Sequence, residues 1–143
     1  AVKKQLGLGH KENIYQRALA EELNNLKLFL EKEKTIDIKY NNKKIGIYRP
    51  DFVVEHKVIL ELKALPSIGR FEKQQIWHYL KGSDYKLALL INFGREDVQI
   101  ERFINTGQQK SVSSPHKSVL VPHLLTMTAT PIPRSLEFGI KTF

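Results

Sequence analysis

The chain has 143 residues, enough for one domain of ordinary size and too few for two full ones, and its 41% apolar and 27% charged content reads as globular. It holds no cysteine, which excludes a disulfide framework and a zinc–thiolate site. No apolar run approaches the ~18–20 residues of a membrane span and no secretory signal is visible, so a cytoplasmic protein is expected; the net charge of +8 favours a polyanionic partner, because phosphate contacts release counterions.

Residues 12–32 (ENIYQRALAEELNNLKLFLEK) place Ile14, Ala18, Leu19, Leu23, Leu26 and Leu30 at helical spacing opposite a charged face, and one helix is predicted across the stretch. The Gly7-Leu8-Gly9 turn before it reads as the boundary with a truncated first helix. Residues 35–40 (TIDIKY) alternate apolar and polar as a half-buried strand does, and Asn41-Asn42-Lys43-Lys44 reads as a turn. Residues 45–64 hold two β-rich runs around the polar break Glu55-His56-Lys57, which suggests a hairpin. Ser67 and Gly69 interrupt, and residues 70–81 resume a helical pattern that Gly82-Ser83 closes. Residues 85–93 (YKLALLINF) are nearly continuously apolar, as in a strand buried on both faces; Gly94 ends them, and residues 98–104 alternate like an edge strand.

The expected order is helix, three strands, helix, two strands. That is an α/β domain with a central mixed β-sheet flanked by helices, in which an antiparallel meander leads into a crossover helix. Its expected extent is residues 1–106. From about residue 107 a polar linker (GQQKSVSSP) leads into a tail carrying four of the six prolines and no continuous core pattern, so poor order is expected there.

The hairpin gathers chemistry. If its turn centres on His56, paired residue numbers sum to 112 and Asp51 lies across from Glu61, with Cβ atoms about 4.5–5.5 Å apart. Lys63 shares the face of Glu61 by the period-two rule. Two carboxylates this close repel unless something positive sits between them, and hard oxygen donors favour Mg²⁺ or Mn²⁺. An ion pair on a solvated sheet face is the bland alternative.

Pro50-Asp51 followed by Glu61-Leu62-Lys63 resembles the P-D…(D/E)-x-K signature of restriction-endonuclease-like nucleases. The rest of residues 1–104 is similar to one branch, the GxxExxY family, whose motif stands here as Gly9-His10-Lys11-Glu12-Asn13-Ile14-Tyr15. Further matching segments are Ala18-Leu19, Glu22-Leu23, Tyr48-Arg49-Pro50-Asp51, Glu61-Leu62-Lys63-Ala64, Gln75 with Tyr79-Leu80-Lys81, and Leu90-Ile91-Asn92-Phe93-Gly94.

The resemblance implies a restriction-endonuclease-like fold and a metal-dependent nuclease. Asp51 and Glu61 would be the principal ligands of Mg²⁺ or Mn²⁺, Glu12 an additional carboxylate ligand, Lys63 the water-orienting group and Gln75 a supporting polar residue. Glu12 could instead be a first-turn residue favoured by the helix dipole, and Gln75 could be as content in water as Gln74. His10 replaces an apolar residue of the pattern and is expected to face solvent. DNA is the expected partner, and a homodimer is left open.

The tail segment Leu124-Leu125-Thr126-Met127-Thr128-Ala129-Thr130-Pro131-Ile132-Pro133-Arg134 resembles the T-A-T-P-I-P-R segment of superfamily-two DNA helicases. No G-x-x-x-x-G-K-[ST] phosphate loop accompanies it, so ATPase activity is not expected. A non-catalytic binding module with a nuclease fold and an inactive fusion product are the alternatives to a nuclease.

Overall fold

The structure, a computed structural model, describes residues 1–107. The linker and helicase-like segment expected at residues 107–143 lie, but for Gly107, outside the described residues. Ten elements follow in order: α1 (Val2–Leu6), α2 (Glu12–Asn25), β1 (Leu30–Lys32), β2 (Ile36–Tyr40), β3 (Lys43–Tyr48), β4 (Phe52–Val54), β5 (Val58–Lys63), α3 (Arg70–Gly82), β6 (Leu87–Asn92) and β7 (Gln99–Ile104). None of these helices is long and apolar enough to cross a membrane.

The expected α/β architecture is present. A five-stranded sheet runs β1-β4-β5-β6-β7, antiparallel except between β5 and β6, which lie parallel on either side of the α3 crossover. β6 is buried along its whole length, as its apolar run suggests, while β7 forms an edge. Alternation along the strands supplies two apolar faces. Phe52, Val54, Val58, Leu60, Leu62, Leu87, Leu89 and Ile91 pack with Tyr15, Leu19 and Leu23 of α2. Val53, Ile59, Ala88, Leu90 and Phe103 pack with Ile76 and Leu80 of α3. The helices therefore cover opposite faces, and Glu61 and Lys63 belong by parity to the α3 side.

Three expectations need correction. The helix over residues 12–32 ends at Asn25. Lys27 turns left-handed (φ 60°), its N–H bonds the Asn24 carbonyl, and the Leu28 N–H reaches back to the Leu23 carbonyl. That is a Schellman stop with Lys where glycine is usual, sealed by burial of Leu23 and Leu28. Periodicity ran on through it because β1, hidden in the same stretch, is also partly apolar.

Second, five strands precede α3 rather than three. Pro50 has no N–H to continue a ladder, so the run from residue 45 breaks into β3 and β4. β3 leaves the main sheet to pair with β2 in a separate ribbon. Third, the turn expected over residues 41–44 is the pair Asn41-Asn42 (φ 47° and 62°), with Lys43 and Lys44 already in β3.

The β4–β5 hairpin matches its expected register: Phe52 pairs with Leu60, Val53 with Ile59 and Val54 with Val58. The Glu55 N–H and carboxylate both bond the Phe29 backbone, which fixes the turn against the end of β1.

Candidate active site

The carboxyl ends of β5 and β6 and the start of β4 meet at one end of the sheet, between the first turn of α2 and the body of α3. Three devices hold this end. Asn92, fully buried, accepts from the Leu65 and Gly94 N–H groups (2.9 and 3.1 Å) and donates to the Leu65 carbonyl (2.9 Å), pinning the chain where it leaves β5. Gly94 lets that chain approach, for a Cβ there would stand 2.0 Å from the Leu65 oxygen. Tyr15 stacks on Phe93 with ring centres 4.8 Å apart and donates to the Gly7 carbonyl at 2.7 Å, so α2 is tied both to β6 and to the turn before it.

Asp51 and Glu61 come together here as register arithmetic expects, close enough for each to act on the other's carboxyl. Asp51 also accepts from the Leu62 N–H at 2.7 Å and from the Gln16 amide at 2.9 Å. Glu61 accepts from the Tyr48 hydroxyl. Burial and the Asp51 charge push the Glu61 carboxyl up to about 8, against the opposing pull of Tyr48 and Lys63. Asp51 is raised as well, chiefly by burial, though the Leu62 N–H, Glu61 and Lys63 act the other way. Two half-buried carboxylates this close disfavour a second negative charge between them.

Lys63 makes no salt bridge with another described residue, yet its charge lowers the carboxyl pKa of Glu12, Asp51 and Glu61 alike. Glu12 lies in the first turn of α2, its carboxyl raised by burial and then by Asp51. It reaches the pair through Gln16, whose amide stands 3.4 Å from the Glu12 carboxylate. Gln75 lines the adjoining cavity, whereas Gln74 is exposed. His10 is exposed as expected, its ring against the Leu6 carbonyl.

Sequence reasoning gave no role to Gln16 or Tyr48. Gln16 is one turn beyond Glu12 on the same helix face, and that spacing was the available signal. Tyr48 ends β3 three residues before Asp51. It is buried, stacked on Tyr79 with ring centres 3.8 Å apart, and burial together with Glu61 holds its phenol far above the ordinary value, so it stays a donor.

Among the described residues no three His, Cys, Asp or Glu side chains form a ready-made metal ligand group. The donor set is the Asp51–Glu61 pair. It fits a hard divalent cation, because a positive charge relieves the repulsion between two adjacent carboxylates and each keeps unused lone pairs. Mg²⁺ in particular retains several waters and needs only one or two protein carboxylates. The cavity beside the pair has a volume of about 340 Å³ and brings Tyr48, Arg49, Lys63, Gln75 and Tyr79 around Glu61.

Comparison with known proteins gives one result. The family model described as the PD-(D/E)XK nuclease superfamily matches residues 1–103. No curated protein and no solved structure matches the chain.

Proposed function

The chain belongs to the PD-(D/E)XK nuclease superfamily, and from that premise we propose that it is a Mg²⁺- or Mn²⁺-dependent nuclease of the GxxExxY branch, hydrolysing DNA phosphodiester bonds in the cytoplasm. The observation that carries the reading is the juxtaposition of Asp51 and Glu61, with Glu61 and Lys63 lining one cavity.

Asp51 and Glu61 would hold the cation, with Glu12, joined to Asp51 through the Gln16 amide, as an additional carboxylate. The cation, when bound, would acidify water and offset negative charge on a phosphate oxygen. Lys63 orients the attacking water and offsets charge that grows on the five-coordinate phosphorus. Water forms the new bond to phosphorus as the bond to the leaving oxygen breaks, the attacking water giving its proton to solvent and the leaving oxygen taking one from solvent. Gln16 and the Leu62 N–H fix one carboxylate while Tyr48 fixes the other, so neither must reorganise as the reaction proceeds.

A non-catalytic nucleic-acid-binding module is the second reading, favoured by the net charge of +8, which suits phosphate contacts with or without cleavage. One assay separates the two. The full chain is incubated with labelled single-stranded DNA, duplex DNA and RNA in Mg²⁺, Mn²⁺ or EDTA, beside Asp51→Ala and Lys63→Ala. Cation-dependent cleavage that falls at least about 100-fold in both variants is expected. Equal activity in all three proteins would sink the catalytic assignment, and binding without cleavage would favour the module.

A further inference from the structure

The cavity next to Glu61 differs from a groove built to follow a duplex backbone. Its lining is mixed: Ile47, Ile76 and Leu90 are apolar, Tyr48 and the half-buried Tyr79 bring rings, Gln75 offers an amide, Glu61 and Glu72 bring carboxylates, and only Arg49 and Lys63 bring positive charge. At about 340 Å³ it has the scale of a pocket for one small ligand. A surface that tracks phosphates would be lined mainly by cations, with no carboxylates among them.

The helix that supplies Gln75 and Tyr79 carries another ring on an adjoining stripe. Phe71 lies one turn before Gln75 on α3 and is 72% exposed, the most open of the large apolar side chains among the described residues. Tyr79 has one ring face covered by Tyr48. Arg49 is exposed, its guanidinium anchored by one bond at 3.2 Å to the Thr35 hydroxyl, which leaves other donors for a phosphate.

We propose that this cavity receives one unpaired nucleotide beside the scissile phosphate, with its base against Tyr79, the neighbouring base on Phe71 and the intervening phosphate on Arg49. The substrate is therefore single-stranded or locally unpaired nucleic acid. A base inside a duplex cannot enter such a pocket unless it is first extruded from the stack, which costs a few kcal/mol, whereas a single strand offers its bases freely. The inference rests on the nuclease reading for the position of the scissile phosphate.

The test is binding, kept apart from cleavage. Fluorescence anisotropy in EDTA compares the full chain on a labelled single strand of about 12 nucleotides and on the blunt duplex of the same sequence. The single strand is expected to bind at least about 10-fold more tightly. Phe71→Ala, an exposed change that leaves the core intact, should weaken single-strand binding about 5- to 30-fold and leave duplex binding unaltered. Arg49→Ala should weaken it and flatten its salt dependence.

Equal or tighter binding of the duplex overturns the proposal. So does an unaltered single-strand affinity in Phe71→Ala, or no binding of either nucleic acid. Because no cation is present, the result is independent of hydrolysis. A protein that selects single strands and never cuts would refute the hydrolytic reading alone, and one that cuts duplex without preference would refute only this one.

Discussion

Replacing Glu61 by Gln removes the charge at the centre of the site while keeping its shape and its capacity to accept from Tyr48. Burial and the Asp51 charge push the folded carboxyl up to about 8, against an ordinary 4.5 in the unfolded chain. Between these values the folded chain binds more protons than the unfolded one, so stability is full below about pH 4.5 and is lost as pH rises through about 8. Each pKa unit corresponds to about 1.4 kcal/mol, which sets an upper limit of about 5 kcal/mol. Glu61 is half-buried rather than sealed, and water at the cavity mouth offsets part of this, so a loss of about 2–3 kcal/mol is expected without divalent cations.

Urea denaturation at several pH values from 5 to 8 in EDTA, followed by fluorescence of the single tryptophan, Trp77 on α3, measures this directly. Wild type and Glu61→Gln should nearly coincide at pH 5 and separate as pH rises, the variant becoming the more stable. Mn²⁺ at pH 8 should restore the wild type and leave the variant unmoved, because a cation stabilises only the ionised pair. Parallel curves for the two proteins across the whole range would show that the Glu61 carboxyl is not raised by the fold.

Other consequences reach beyond that one group. Tyr48→Phe keeps the stack on Tyr79 and deletes the donor that lowers the Glu61 pKa, so the acid limb of the pH–rate profile should move to higher pH. Asn92→Leu leaves the Leu65 and Gly94 N–H groups and the Leu65 carbonyl without their partner, and denaturation should show a loss of about 3–5 kcal/mol. Lys27→Gly relieves a left-handed residue at the end of α2 and should stabilise by about 0.5–1 kcal/mol in the same melts; destabilisation would contradict the Schellman assignment.

Much of the site was legible because a hairpin makes arithmetic of neighbourhood. Once the turn is centred on His56, Asp51 must face Glu61, and the observed pairs from Phe52–Leu60 to Val54–Val58 keep that count. The long apolar run of β6 likewise declared a central strand. What stayed hidden depended on contacts between distant segments. Nothing local in Asn24-Asn25-Leu26-Lys27 announces a helix stop, since the hydrogen bonds to Leu23 and Asn24 do what a glycine would have signalled. β3 reads as a strand, but only packing of Ile36, Ile38 and Tyr48 on α3 explains why it pairs with β2 away from the main sheet. Tyr48 and Gln16 looked like ordinary strand and helix residues until the fold set each against a carboxylate.

The central claim is that Asp51 and Glu61 together hold a divalent cation. Crystals grown with Mn²⁺ at about pH 8, where the pair is ready to ionise, test it through the anomalous signal of the metal. The account predicts one peak with oxygens of both carboxylates within about 2.0–2.6 Å, lost in Asp51→Ala. A saturating Mn²⁺ concentration that leaves the space between Asp51 and Glu61 without a peak, or places the ion elsewhere in a protein that still cuts, would contradict it.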